Sequence, residues 1–249
     1  MIPPREQDPY IGWRPPYPEP KLSREDTALL IVDMQYFDAH WEYGMCLKAR
    51  QAGFEQEMQY YGERLRTVVP NIRRLMDAFR AAGMEVIHTR IQSMVPDGRD
   101  RGPAHKKLGH AAPPGSKEAE ILDELKPLES ELVFNKTAGS VFSSTNIEYV
   151  LRNMGIRNLV VVGVVTTGCV HTAVTDASDR GFNVILVEDG VGSIVPEMHW
   201  NSIRILRDVY AKILSTEEVL DRVAALASAG STGVRRIEGQ VNPEEWTRV

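Results

Sequence analysis

Three short stretches of this chain are apolar almost from end to end: TALLIVD at 27–33, NLVVVG at 158–163 and NVILVED at 183–189. A strand with one wet face alternates apolar and polar residues. A short run without alternation is a strand buried on both faces, the condition found in parallel sheets covered by helices. Runs of this kind exclude an open antiparallel sandwich and demand helical layers above and below them. That demand constrains the fold more than any other feature of the sequence.

The segments between these runs supply the helices. Over 54–82, Val69, Ile72, Leu75, Met76 and Phe79 recur at three- and four-residue spacing. Pro70 falls early in the second half of that segment, where a helix start tolerates it, and Gly83 ends it. MEVIHTR (84–90) reads as the second strand, 117–125 as a short helix and ELVFN (131–135) as a strand. SSTNIEYVLRNMGI (143–156) reads as a helix with Ser or Thr capping its start. HTAVTDASDRGF, PEMHWNSIRILRDVY and TEEVLDRVAALAS read as later helices, and AKILST as the last strand. Strand and helix thus alternate about six times, which predicts an α/β fold: three α-β-α layers, Rossmann-like, around a mainly parallel sheet with right-handed crossovers.

Two flanking segments differ in character. Residues 1–23 are rich in proline, favour extended backbone and are expected to form an arm lying over their own domain or a neighbouring subunit. The domain itself is expected over 24–228, and 229–249, weakly periodic, as a C-terminal extension. The polar, Gly- and Pro-rich stretch 91–116 is long for a connection in a compact domain and reads as a lid or a subunit contact. Arm and loop together point to a homo-oligomer, a dimer or tetramer.

Charge and cysteine usage narrow the function classes. The formal net charge is -5 and the basic residues are scattered, as at Arg73 and Arg74, so neither nucleic acid nor an anionic membrane surface is an expected partner. No apolar run approaches the roughly 18 residues that span a bilayer, and the start has no apolar core of a secretory signal. With two cysteines, Cys46 and Cys169, a disulfide framework is not expected. A reducing, cytoplasmic location is, and Cys46 reads as structural or incidental. No strand–GxGxxG–helix or GxxxxGK[ST] element supports a nucleotide-binding module.

Ligands of a parallel sheet collect beyond the carboxyl ends of its strands. Asp33 ends the first strand, His88 and Arg90 the second, Lys136 follows ELVFN, and Glu188 and Asp189 end NVILVED. Cys169 lies just past NLVVVG, where the next helix begins. A free thiol is only a few per cent thiolate at neutral pH, and a helix N-terminus with an ammonium nearby lowers its pKa. Lys136 supplies that charge, and Asp33 is placed to take the thiol proton and return it to a leaving amine. Amides of the VVTTG turn are candidates for holding an oxyanion. Gln35, Tyr36 and Phe37, just beyond Asp33, are expected to line the pocket.

In order and spacing, TALLIVDMQYFD, FNKTAGSVFSSTNIEYVLRNMGI and LVVVGVVTTGCVHTAVTDASDRGFNVILVEDGVGS resemble the isochorismatase-like cysteine hydrolases. The likeness covers about residues 24–220 and is most specific in the third segment. It implies a parallel six-stranded sheet, a catalytic Asp33–Lys136–Cys169 triad, a cis peptide at Val164–Val165, and an oxyanion hole from the amides of Val165 and Cys169. A cysteine favours the amidase branch over the ether-cleaving isochorismatases that name the family. The metal-binding Asp-x-His pattern of its nicotinamidase members is missing from HTRIQSMVPDGRD, so no metal or other cofactor is expected, and His105 and His110 are a weak metal pair.

The metal-free relatives that the chain resembles more are the N-carbamoylsarcosine, ureidoacrylate and biuret amidohydrolases. Some of these carry an arginine two residues after the cysteine to hold a substrate carboxylate. Here that position is His171, which disfavours a carboxylated substrate or moves anion binding to Arg90. The expected function is a cysteine amidohydrolase that cleaves a C–N bond of a small ureido, carbamoyl or amide compound through a thioester. The alternatives are an isochorismatase-type vinyl ether hydrolase and a nicotinamidase-like amidase.

Overall fold

A computed structural model describes residues 3–228 of the chain. Six strands form one sheet in the order β3-β2-β1-β4-β5-β6, every neighbouring pair parallel. They are β1 (Thr27–Val32), β2 (Glu85–Ile91), β3 (Leu132–Lys136), β4 (Asn158–Val164), β5 (Asn183–Gly192) and β6 (Lys212–Leu214). Every residue of β1 and β4 is buried, as their unbroken apolar runs require. The three-layer α/β architecture expected from the alternation is the one observed, with an all-parallel sheet.

Nine helices are described: α1 (Tyr36–Ala39), α2 (Gly44–Gln51), α3 (Glu55–Ala81), α4 (Pro103–Lys107), α5 (Val141–Ser144), α6 (Ile147–Asn153), α7 (His171–Asp179), α8 (Pro196–Leu206) and α9 (Thr216–Ser228). The pleat sorts successive strand residues to opposite faces. Leu29 and Ile31 of β1 pack with α3 and α9 through Ile72, Met76, Val219 and Val223. Ala28, Leu30 and Val32 pack with α5 to α8 through Phe142, Leu151, Val174 and Ile203.

Several local expectations are corrected. Pro70 sits inside one continuous 27-residue helix and not at a start; the buried stripe from Met58 to Phe79 carries the helix through the missing N–H. The segment 117–125 is two 3-10 turns, Lys117–Ala119 and Asp123–Leu125, separated by an isolated antiparallel bridge between Ile121 and Gln35. The predicted helix over 143–156 is two pieces. Ser140 caps the first by accepting from the Ser143 amide, and the Thr145 hydroxyl accepts from Ile147 N at the second. The helix after Pro196 stops at Leu206, four residues short of Tyr210, where Asp208 takes a left-handed φ of 58°.

The N-terminal segment lies on its own chain. Asp8 is buried between Arg204 (2.8 Å) and Arg207 (2.9 Å), Arg5 pairs with Asp208, and Ile11 is fully buried. The two arginines hold the Asp8 carboxyl down at about 2. The predicted extension 229–249 lies outside the described residues, as do residues 1 and 2 of the arm.

The strand order reverses between β1 and β4, so the crevice at the carboxyl end of the sheet opens there. Gly163, near the end of β4, faces it with φ 117°, and a Cβ at that position would stand 2.1 Å from the Val32 carbonyl oxygen. Only glycine satisfies both conditions. Gly163→Ala is therefore expected to cost about 3 kcal/mol or more, read as a lowered urea midpoint or loss of soluble protein. A midpoint within experimental error of the parent would refute this account of the β1–β4 junction.

Candidate active site

Three chain segments far apart in the sequence, those of Asp33, Lys136 and Cys169, meet beyond that crevice. Asp33 follows β1 in a left-handed conformation, φ 53°, which turns its side chain across the strand ends. Its amide donates to the Thr89 carbonyl (3.1 Å), and the Thr89 hydroxyl donates to Oδ1 (3.0 Å). Lys136 ends β3 and brings Nζ to 2.8 Å from Asp33 Oδ2, 3.0 Å from the Ala138 carbonyl and 3.2 Å from Cys169 Sγ. Three acceptors thus surround an ammonium that has three N–H bonds. Asp33 and Lys136 are both fully buried.

Cys169 sits in a turn, Thr166–Val170, with π-type winding, and Gly168 (φ -125°, ψ -105°) breaks that winding just before it. The peptide joining Val164 to Val165 is cis. The amides of Gly168 and Val170 both donate to the Val165 carbonyl, at 3.0 and 3.3 Å. Both threonines are anchors: Thr166 pairs with His199 Nδ1 and Thr167 with Ser193, each at 3.0 Å. Ser202 donates to the Thr166 carbonyl (3.1 Å) and pairs with His171 Nδ1 (2.7 Å). The turn is thus fastened to α8 and to the residue after β5.

The electrostatics of the cluster differ from the sequence expectation in one respect. Burial pushes the Cys169 thiol up, the Asp33 carboxylate pushes the same way, and the opposing pull of Lys136 does not offset them. Burial works against the Lys136 ammonium, but the Asp33 carboxylate above all outweighs it and holds Lys136 above its ordinary value. The upward push on the thiol favours its protonated form beside the Asp33–Lys136 ion pair. A thiolate depressed by a helix N-terminus was expected; α7 begins two residues after Cys169, and burial dominates.

The structure divides the remaining candidates. Phe37 packs with Ile91, Ala112 and Ala119 around Cys169, so it belongs to the site wall. Gln35 is buried, but its side-chain amide is committed to backbone: Nε2 donates to Ile91 O and Glu118 O, and Oε1 accepts from Ile91 N. It braces the end of β2 and presents no free polar atom. Tyr36 points its hydroxyl to Asp123 (3.0 Å), with Lys117 Nζ 3.9 Å from the centre of its ring. Arg90 bonds Asn135 and the Ala119 carbonyl and lines a separate cleft with Glu120, Asp123 and Lys126.

His88 is buried beside Glu131 (3.4 Å), with burial pulling it down to about 4. Asp189 accepts from the Thr216 amide and hydroxyl at the start of α9, and the Glu188 carbonyl receives Arg64. His171 reaches Ser202 from the helix that follows the thiol.

The 91–116 loop packs on its own chain: Ala112 touches the Cys169 cluster and the ring of His110 lies 5.2 Å from that of Phe37. Among the described residues no three or more His, Cys, Asp or Glu converge as metal ligands, and no helix is long and apolar enough to cross a membrane.

Sequence reasoning missed Thr89, His199, Ser193 and Ser202. Thr89 carried a usable signal, since it lies near the carboxyl end of β2, beside the strand that leads to Asp33. The other three are ordinary polar residues whose partners become visible only in three dimensions.

The fold and the cluster define a doubly wound α/β protein with an Asp, a Lys and a Cys at its topological switch point. The model of the isochorismatase domain matches residues 27–218, and the chain belongs to that family. It is 32% identical over 168 residues to an N-carbamoylsarcosine amidase of an Arthrobacter species, a match covering 65% of this chain and 63% of that protein. It is 30% identical over 200 residues to ureidoacrylate amidohydrolase RutB of Rhizobium rhizogenes, covering 74% of this chain and 77% of the relative. A solved cysteine hydrolase from Pseudomonas syringae superposes with a TM-score of 0.72 at 21% identity, over 86% of this chain and 99% of the other.

His199, under the cysteine turn, is held at about 4 by burial first and by the Arg64 charge second. Its folded pKa lies below its unfolded value of about 6.5, so the unfolded chain binds the proton more tightly. The stability contribution is complete above pH 6.5 and is lost as pH falls toward 4. Between pH 7 and pH 5 the loss is expected to be about 2 kcal/mol, or about 6 °C in Tm. A His199→Gln variant whose Tm falls by as much as the parent's over that range would remove His199 from the account.

Proposed function

We propose that this protein is a cysteine amidohydrolase that cleaves a C–N bond of a small ureido, carbamoyl or amide compound through a thioester. The observation carrying this reading is the position of one buried ammonium, Lys136 Nζ, 2.8 Å from Asp33 and 3.2 Å from Cys169 Sγ. Two relatives at 30% and 32% identity bear amidohydrolase and amidase names, which supports the same class.

In this reading substrate binding starts the proton transfers. Asp33 takes the thiol proton, and Lys136 stabilises the resulting thiolate, which attacks the substrate carbonyl carbon. Negative charge moves to the carbonyl oxygen, which the amides of Val165 and Cys169 receive, each donor worth roughly 3 kcal/mol in the transition state. The tetrahedral intermediate expels ammonia or an amine, which leaves with the proton held by Asp33. Water, deprotonated by Asp33, then attacks the thioester; the carbamate or acid departs and sulfur recovers its proton.

A resting neutral thiol suits this sequence, because the proton acceptor stands beside the sulfur and the ammonium neutralises the charge as it forms. The Thr89 hydroxyl orients the acceptor. Phe37 and the loop that carries Ala112 keep bulk water from the sulfur, which strengthens each of these interactions.

The test is ammonia or amine release from biuret, ureidoacrylate, N-carbamoyl amino acids, maleamate and nicotinamide, with isochorismate as an ether control. Cys169→Ala is expected to lower turnover by roughly 10⁴-fold or more, with Asp33→Asn and Lys136→Met severely impaired. Turnover of isochorismate alone, undiminished in Cys169→Ala, would replace this reading with ether hydrolysis.

A further inference from the structure

Asp38 is a buried carboxyl that the structure leaves without a partner. It lies in α1, five residues beyond Asp33, and is 6% exposed. Its Oδ2 is buried and makes no hydrogen bond. The backbone around it is held from several directions: its amide donates to Gln35 O (3.2 Å), its carbonyl accepts from the Tyr61 hydroxyl (2.8 Å), and Gln35 is itself clamped to the end of β2. The preceding residue, Phe37, packs against Cys169. Asp38 thus follows directly on a residue that packs against the cysteine and stands five residues past Asp33.

Buried polar groups are nearly always hydrogen-bonded, and an exception in a fixed position calls for a ligand or a function. None of the steps described above uses Asp38. Nor does it stiffen the fold through its side chain, since the bonds that fix this turn are made by its backbone and by Gln35.

We propose that Asp38 is a specificity-determining residue whose carboxyl hydrogen-bonds the N–H groups of a carbamoyl or ureido substrate held at the Asp33–Lys136–Cys169 cluster. The inference rests on the amidohydrolase reading and names the substrate class within it. A ureido group carries N–H donors on both sides of its carbonyl, so one side can meet Asp38 while the carbonyl carbon faces sulfur. A carboxylate offers no donor, and its charge would stand beside Asp33. His171, at the position where some relatives hold a substrate carboxylate with arginine, is turned to Ser202 and supplies no fixed cation. Burial, and after it the Asp33 charge, pushes the Asp38 carboxyl well above the usual carboxylate range.

The test compares Asp38→Leu, which has similar size and no polar atom, with Asp38→Asn, which keeps an acceptor and a donor. Calorimetric binding of biuret is measured in a Cys169→Ala background, and KM and kcat with Cys169 intact. Asp38→Leu is expected to weaken binding and raise KM about 30-fold, with kcat changed less than about threefold, while Asp38→Asn stays within about fivefold of the parent. The Tm of Asp38→Leu is expected to hold or rise, since an unpartnered buried carboxyl has been removed. Asp38→Ala replaces it if Asp38→Leu does not fold.

Binding and KM independent of residue 38, in an enzyme whose turnover needs Cys169, would overturn this proposal and leave the amidohydrolase reading intact. Absence of both turnover by the parent and binding by Cys169→Ala, across all the probes, would overturn both together.

Discussion

An ion pair between two fully buried side chains, Asp33 and Lys136, is the feature on which the rest of the molecule depends. Removing both charges from water costs several kcal/mol per ion, and the mutual attraction offsets this only when geometry and the remaining hydrogen bonds are good. Here they are supplied from three places: Thr89, whose hydroxyl donates to Asp33 and whose carbonyl fixes the Asp33 backbone, the Ala138 carbonyl and the sulfur of Cys169. These lie near the end of β2, just past β3 and just past β4. A hydrophobic pair would fill the same space at lower cost, so stability alone does not account for the charges, and the proposed chemistry at the thiol does.

The parallel sheet serves that arrangement. Strands running in one direction bring their carboxyl ends to one edge, and the reversal of order between β1 and β4 leaves a crevice there. Gly163 lets the β1 and β4 backbones close at the crevice, and the residues that follow turn back over it to present sulfur. Two layers of helices make the strands uniformly apolar, and that same uniformity makes them readable.

How much was legible follows from this physics. β1, β4 and the first half of β5 stood out because burial on both faces leaves unbroken apolar runs over 28–32, 159–164 and 184–187. Asp33 and Cys169 stood out because a reactive group just past such a run has to lie at the edge where ligands collect. Lys136 was legible on the same ground, though only as one of several strand-end charges. Pro70 was misplaced because a stripe of buried residues from Met58 to Phe79 overrides one missing hydrogen bond. The 117–125 segment failed as a helix because its backbone partners are tertiary: Gln35 and Tyr36 take the Glu118 and Glu120 carbonyls. Gln35 and Tyr36 were assigned to the pocket by proximity in sequence, which says nothing about which way a side chain turns. Asp38 drew no attention, since an acid in a polar stretch is usually wet.

Helix α8 has a double duty whose consequence reaches across the molecule. On one side Arg204, with Arg207 just past its end, grips Asp8 of the N-terminal segment; on the other His199 and Ser202 hold the turn that carries the cysteine. The same rod is therefore clamped at one flank and holds the cysteine turn at the other. One helix joins the segment around Asp8 to a sulfur that lies 3.2 Å from the Lys136 ammonium. The position of that sulfur is thus fixed from two sides, by the strand ends below it and by an N-terminal segment on the far flank of α8.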